Sequence, residues 1–287
     1  VIIGTAQFGL NYGITNNVGK IKNQDLKKIF TYIKKKNLLH FDTAFGYGNA
    51  HKRICSLIKN ERKKYIITTK VKLIDFKNYN FLEKKIKLLK KKFNQHKVNL
   101  LCHDEAIILK KNIQYLKNLK KLKLKKIVDK IGVSFYSKNL AYKALQDSYL
   151  DIIQISSNVL DQRILDKKFL KFKNKIFCRS IFLQGILIAK NIDTLAIRFK
   201  NKLKKIQLIL DKYKLSNIDL CFYYIIKIAR IHNFIVGFQS LQELKLLYIS
   251  YSKVLKMKVI KKLVLEIKKI NCSRKNIIDP RKWKKIY

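Results

Sequence analysis

The chain has 287 residues, more than the usual ~100–150 of one domain but suited to a single α/β barrel of about 250. Hydrophobic residues make up 48% and aromatics 11%, enough for a core, and with only 9 Gly and 1 Pro wholesale disorder and collagen-like or linker-rich architectures are excluded. Lys+Arg total 65 against Asp+Glu 18, a formal net charge of +47, so a polyanionic partner is the first hypothesis to test.

Short β-branched or aromatic runs recur along the chain at 1–5, 38–43, 65–70, 98–103, 130–135, 151–156, 175–181 and 234–238. Lys-rich helical stretches separate them. Leu26, Ile29, Phe30 and Ile33 follow i, i+3, i+4, i+7 spacing with lysines on the opposite face, and Leu82, Ile86, Leu89 and Phe93 repeat the design over 81–93. The lysines are therefore dispersed over the solvated faces of amphipathic helices, and no Cys2His2 or RNP signature is present, which argues against specific nucleic-acid recognition. The long interval from 181 to 234 holds two helical patterns, 193–213 and 217–231, the second capped by Ser216 with Asp219 three residues on. After the last run, Ser240-Leu-Gln-Glu243 opens a further helix as a capping box, followed by an amphipathic stretch at 257–270 and a polar tail at 279–283.

Eight strands alternating with helices predict an α/β fold, a (β/α)8 TIM barrel, as one domain over 1–287 with extra C-terminal helices. A doubly wound sheet is the alternative, but no G-x-G-x-x-G follows a strand, and Gly4-Thr-Ala-Gln-Phe-Gly9 has the wrong spacing. Cys55, Cys102, Cys178, Cys221 and Cys272 are odd in number and widely separated, so neither a disulfide framework nor a metal site is expected. No stretch approaches the ~20 apolar residues of a membrane span. The start Val1-Ile2-Ile3-Gly4 lacks a signal-like region, and the expectation is a cytoplasmic protein, trimmed at its start. The sequence carries no signature of oligomeric state.

The ends of the predicted strands carry the reactive groups. Asp42 ends the second, with Tyr47 five residues later between Gly46 and Gly48; Lys70 ends the third and His103 the fourth. Consecutive strand ends are neighbours in a barrel, so a carboxylate, a phenol, an ammonium and an imidazole converge at its C-terminal mouth, as an acid catalyst with its tuning groups would. Taken singly each has a structural explanation: a helix cap, a half-buried aromatic, one lysine among many, a core histidine. Their joint placement favours chemistry. His40 shares a face with Asp42 and reads as packing, and His51, His96 and His232, in helical or loop stretches, read as surface or packing residues.

Several segments together resemble the aldo-keto reductases. They are Gly4-Thr-Ala-Gln-Phe-Gly-Leu-Asn-Tyr-Gly13, His40-Phe-Asp-Thr-Ala-Phe-Gly-Tyr-Gly48, Ile66-Ile-Thr-Thr-Lys70, Leu100-Leu-Cys-His-Asp104, Ile131-Gly-Val-Ser134, Ile153-Gln154 and Arg179-Ser-Ile-Phe-Leu-Gln-Gly185. Within the family the chain is most similar to the bacterial branch associated with polysaccharide and surface-sugar pathways. The resemblance places the catalytic tetrad on Asp42, Tyr47, Lys70 and His103. It implies NAD(P)H-dependent reduction of a small aldehyde or ketone, such as a sugar-derived aldehyde, with Tyr47 as general acid and NADP(H) or NAD(H) as cofactor. On this reading Lys70 lowers the Tyr47 pKa, Asp42 holds Lys70, and His103 orients the carbonyl oxygen. Cofactor contacts implied are Thr5, Ser134 and Gln154, with Arg179 and Ser180 near the ring and ribose and Ser240 at a helix N-terminus that binds phosphate. Many members hold the 2′-phosphate and adenine with Lys, Arg and Glu-Asn where this chain has Gly237, Glu243, Leu246 and Leu247. The rivals are a cofactor-binding barrel with a sensing role and a basic polyanion-binding protein; the intact tetrad opposes the first and the dispersed lysines the second.

Overall fold

Leu26, Ile29, Phe30 and Ile33 form the buried stripe of a helix spanning Asn23–Lys35, and Leu82, Ile86, Leu89 and Phe93 that of Tyr79–Phe93. The 3.6-residue period alone predicts both faces, and each fully buried aliphatic or aromatic side chain contributes roughly 1.5–3 kcal/mol. What these stripes cover is a barrel. The computed structural model describes residues 1–14, 16, 18–189 and 197–283. Among these, eight parallel strands close in chain order: β1 (Ile2–Gly4), β2 (His40–Asp42), β3 (Ile66–Val71), β4 (Lys97–Cys102), β5 (Lys130–Phe135), β6 (Ile152–Ser156), β7 (Ile176–Arg179) and β8 (Asn233–Val236). Closure is made by β1 pairing with both β2 and β8, in the registers Gly4 to Asp42 and Ile3 to Val236. Each expected run contains or overlaps one strand, displaced by a few residues at the ends.

Strand alternation divides the core in two. Side chains facing the helices join one large cluster, whereas Ile2, Leu101, Ile152 and Phe177 fill the barrel interior with Ile235 against them. The interior also holds polar groups, which pair with each other: His40 Nε2 lies 2.8 Å from Thr68 Oγ1, and Asn99 Nδ2 donates to the same oxygen at 3.1 Å. His40 is thus a packing residue, edge-on to Phe177.

The C-terminal elements depart from the expected spans. The 217–231 pattern is α-helical only over Asn217–Tyr223, behind the expected Ser216/Asp219 capping box, and continues as a wider π turn over Tyr224–Ile228. The 193–213 pattern is helical over Ile197–Tyr213, and 193–196 lie outside the described residues. In the 257–270 stretch only Lys261–Lys269 is helical. Ile260 is extended because its N–H donates to the Tyr223 hydroxyl at 2.6 Å instead of entering a helical ladder. None of the helices in the described residues is long and apolar enough to cross a membrane.

Candidate active site

The mouth of the barrel is organised from the loop after β2. Main-chain pairing runs past the strand, Thr43 N–H donating to Thr68 O at 2.8 Å and Phe45 N–H to Lys70 O at 2.9 Å, before a turn carries Tyr47 inward. The position of Tyr47 is set by two glycines. A Cβ on Gly9 would fall 1.9 Å from the Tyr47 carbonyl oxygen, and one on Gly48, whose φ is +52°, would fall 2.5 Å from the Gly9 carbonyl. Only residues without side chains allow the two loops this close. The Gly4-to-Gly9 segment therefore serves to seat the Tyr47 loop.

Below Tyr47 the charged groups form a chain. Lys70 Nζ donates to Asp42 Oδ1 at 2.6 Å and to Thr43 O at 3.0 Å, and Gln154 Nε2 donates to the other Asp42 oxygen at 2.8 Å. The side chains of Lys70 and Asp42 are 2% and 6% exposed, so this is a buried ion pair whose partners depend on each other. Lys70 Nζ stands 5.5 Å from the centre of the Tyr47 ring, and the His103 ring is edge-on to Tyr47 with centroids 6.5 Å apart. All four residues of the expected tetrad thus converge.

Their electrostatics differ in one respect from expectation. The Tyr47 phenol is raised above its ordinary value, first by burial and then by the Asp42 charge, with Arg179 opposing. The neighbouring Lys70 cation, itself paired with Asp42, does not outweigh that burial. Burial also lowers the Lys70 ammonium, against the pull of Asp42. His103 faces the open cavity, yet enclosure by the mouth, followed by the Lys70 and Arg179 cations, holds its pKa down to about 4. Tyr47 is therefore a neutral hydroxyl donor and His103 a neutral imidazole at pH 7.

The cavity above this chain is lined by Thr5, Asp42, Tyr47, His103, Gln154, Arg179 and Ser180 among others, and Glu243 closes its β8 side. Thr5 is fully buried and its hydroxyl donates to Asp42 O at 2.9 Å. Ser134 is buried at the end of β5, in register with Gln154. Ser240 caps the Leu241–Lys256 helix by accepting from Glu243 N–H at 3.1 Å; the Glu243 carboxylate accepts from Gln239 N–H at 2.7 Å, one residue earlier than the expected Ser240 N–H. Neither Ser134 nor Ser240 lines the cavity.

Three contributors escape a reading by strand ends. Tyr136, two residues beyond Ser134, lines the cavity, as do Tyr12 and Gln184, which approach each other at 3.5 Å from the loops after β1 and β7. Tyr136 continues the alternation of β5 past the end of the strand, a signal present in the sequence; the Tyr12–Gln184 contact joins residues 172 apart and has no local signal.

A nicotinamide fits one feature in particular. Gln154 must present its NH2 to the Asp42 carboxylate, which leaves Oε1 buried and without a hydrogen-bond partner. An acceptor orphaned in this way calls for a donor, and a carboxamide NH2 is of the right kind.

The barrel resembles solved structures of the same architecture. An aldo-keto reductase of Bacillus halodurans in its holo form superposes with a TM-score of 0.74 at 13% identity, covering 99% of this chain and 95% of that one. One from the silkworm, Bombyx mori, gives 0.70 at 14% identity, with 99% and 87% covered. A third, an aldo-keto reductase enzyme from a Medee basin deep-sea metagenome library, gives 0.65 at 15% identity, with 88% of each chain covered. At such identities the likeness carries the fold alone. Comparison with the curated proteins gives no match. The sequence itself matches the Aldo/keto reductase family over residues 1–265, and the chain belongs to that family of NAD(P)-dependent oxidoreductases.

Proposed function

We propose that the protein reduces the carbonyl of a small aldehyde or ketone with Tyr47 as the proton donor, and that it accepts either NADH or NADPH. The observation that carries this reading is the neutral Tyr47 hydroxyl at a cavity floor where the carboxylate beneath it, Asp42, is already bound by Lys70 and Gln154. The cofactor, when bound, supplies hydride to the carbonyl carbon. Gln154 Oε1 would hold its carboxamide, with Ser134 as the β5 register partner beside it, Ser180 beside the ring and the helix start at Ser240 toward its phosphates.

As the carbonyl oxygen gains charge, Tyr47 gives it the phenolic proton and becomes phenolate. The Lys70 cation, 5.5 Å from the ring centre, stabilises that charge only at this stage, which is differential stabilisation of the transition state. Asp42 and Gln154 keep Lys70 in place. His103 donates a hydrogen bond to the same carbonyl oxygen and sets its direction. Water reprotonates Tyr47 after the alcohol leaves.

The test is titration with NADPH and NADH by cofactor fluorescence, then a screen of aldehydes by nicotinamide absorbance with wild type and Tyr47→Phe. The variant should bind cofactor within about twofold of wild type and lose ~10²–10⁴ in turnover, the usual worth of general acid catalysis. Near-normal turnover in Tyr47→Phe would remove it as the acid.

A further inference from the structure

Arg179 ends β7, but its guanidinium has crossed the mouth toward β5. Nη2 donates to Phe135 O at 3.0 Å, Nη1 makes only a long contact of 3.4 Å to Ser180 Oγ, and Cζ lies 4.0 Å from the centre of the Tyr136 ring. A guanidinium has five N–H groups, so most of its donor capacity is unused. Its charge is also unpaired by any carboxylate among the described residues. Asp279 feels that charge but is forked onto Arg281, through Nε and Nη2 at 2.8–3.3 Å. Arg281 in turn lies 3.5 Å from the Tyr136 ring centre. The ring thus supports two cations, one neutralised and one not.

The space beside Arg179 does not end at the cavity. His103 and Tyr136 line it and also a second cleft, which runs outward past Lys72, Lys77 and Tyr115. Lys72 and Lys77 are exposed there and pair with no carboxylate among the described residues. Two acidic side chains share this cleft, and both are turned to main-chain donors. Asp104 accepts from Ala106 N–H at 2.8 Å, and Glu105 accepts from the N–H groups of Tyr136 and Ser137 at 2.9 and 2.7 Å. With Asp42 bound to Lys70 and Asp279 to Arg281, Arg179 is the cation of the cavity that no carboxylate pairs among the described residues.

We infer that Arg179, with the cleft beyond it, receives an acidic group on the substrate, a carboxylate or a phosphate, so that this enzyme reduces acidic aldehydes or ketones. The inference rests on the reading of Tyr47 and His103 as the groups that contact the carbonyl. Arg179 lines the same cavity as both of them, so an anion on its free N–H groups lies beside the carbonyl they would hold. The features suited to the cofactor are Gln154 on β6, Ser180 and the helix start after β8; from its long contact with Ser180 the guanidinium turns toward β5, and the open cleft leads away past β3 and β4. A charge-assisted fork on a half-buried guanidinium is among the stronger polar contacts available.

The experiment compares 4-oxobutanoate with its methyl ester, and glyceraldehyde 3-phosphate with glyceraldehyde, in wild type, Arg179→Gln and Arg179→Lys. The readout is the ratio of kcat/KM for acid over neutral partner, in which any general damage to the active site cancels. Wild type should favour the acid by about tenfold or more, Arg179→Gln should reduce that ratio by about 10–100-fold, and Arg179→Lys should restore part of it. The carboxylate and phosphate pairs show which acid the site takes. A wild-type ratio near one, or a ratio unchanged in Arg179→Gln, overturns the inference. If Arg179→Gln instead weakens NADH binding by fluorescence while leaving the ratio alone, the arginine serves the cofactor's phosphates and the inference again falls. Calorimetric binding of 4-hydroxybutyrate against its methyl ester reads the site without turnover. Arg179-dependent binding of the acid by a protein that reduces neither aldehyde supports the anion site while overturning Tyr47 as donor.

Discussion

Lys70 Nζ and Asp42 Oδ1 are 2.6 Å apart inside the barrel, and nearly all of both side chains is hidden from water. Removing one partner strands the other as a buried charge, which typically costs 3–5 kcal/mol, far above the worth of a surface pair. Asp42→Ala should therefore lower the unfolding free energy by about that much in a urea titration. The double replacement Asp42→Leu with Lys70→Met should recover most of the loss while remaining inactive. Equal stability of Asp42→Ala and wild type would show that Lys70 is neutralised by something other than Asp42.

Gly9 and Gly48 should be as sensitive as the tetrad, although neither has a side chain. Gly9→Ala places its methyl within 1.9 Å of the Tyr47 carbonyl, so the loop must move, and a displacement of about 1 Å can cost ~10²-fold in rate. Turnover should fall by that order, while Gly46→Ala, where a Cβ meets nothing within 4 Å, should retain it. A fully active Gly9→Ala would mean that the loop adjusts without disturbing the hydroxyl.

The tetrad was legible because a barrel fixes where consecutive strand ends go: once β2, β3 and β4 are assigned, Asp42, Lys70 and His103 must meet. Gly9 and Gly48 were legible as motifs but not in purpose, since their contact joins two loops and depends on backbone approach. The sign of the Tyr47 shift was hidden for another reason. Residue types suggest that a nearby lysine lowers the phenol pKa, but the outcome depends on how much water is excluded and on the opposing charge of Asp42. The amphipathic spacing at 257–270 does not show where its helix begins, because one buried hydroxyl, that of Tyr223, captures the Ile260 N–H and delays the start to Lys261.

The raised phenol gives a pH profile of definite shape. Reduction needs Tyr47 protonated, a condition met at every pH below its folded pKa, which lies above the ordinary 10.0. His103, with a pKa of about 4, stays neutral down to mildly acidic pH. The kcat/KM for reduction should consequently be flat from about pH 6 to 9 and decline only above that range, since its pH dependence reports the free enzyme. A descending limb near pH 7–8 that disappears in Tyr47→Phe would show a phenol lowered below its ordinary value.

Stability should depend on pH through two histidines outside the tetrad. Burial lowers His40 to about 3 and His51 to about 4 from an ordinary 6.5, and their ring nitrogens lie 2.8 Å from the hydroxyls of Thr68 and Thr69. Below pH 6.5 the unfolded chain binds protons that the folded chain does not. Stability is thus complete above pH 6.5 and declines as pH falls toward the folded values, with a slope of up to roughly 1.4 kcal/mol per pH unit for each histidine. Urea midpoints at pH 7, 6 and 5 should fall accordingly, and His40→Asn should show a shallower decline. An identical decline in that variant would assign the protons elsewhere.

The last prediction concerns the choice between NADH and NADPH, which falls to the loop after β8. A 2′-phosphate carries close to two negative charges, and strong selection for it needs fixed charge-assisted hydrogen bonds from Lys or Arg. Gly237 supplies no side chain there. Glu243 lines the cavity instead, its carboxylate accepting from Gln239 N–H at 2.7 Å, while burial pushes its pKa up from the usual range. A carboxylate so placed repels a phosphate and can accept a hydrogen bond from a ribose hydroxyl. Against it stand the backbone N–H groups at the start of the Leu241–Lys256 helix and the net charge of +47, which attract any anion but are screened beyond ~8 Å at physiological salt. These opposing terms should leave a preference below about tenfold, or ~1.4 kcal/mol, in competitive fluorescence titrations. Glu243→Gln, which removes the repulsion and keeps the size, should shift the ratio several-fold toward NADPH, and added salt should shrink the difference between the two proteins. An NADPH preference above ~100-fold that persists in high salt would require a fixed cationic clamp that the loop after β8 does not contain.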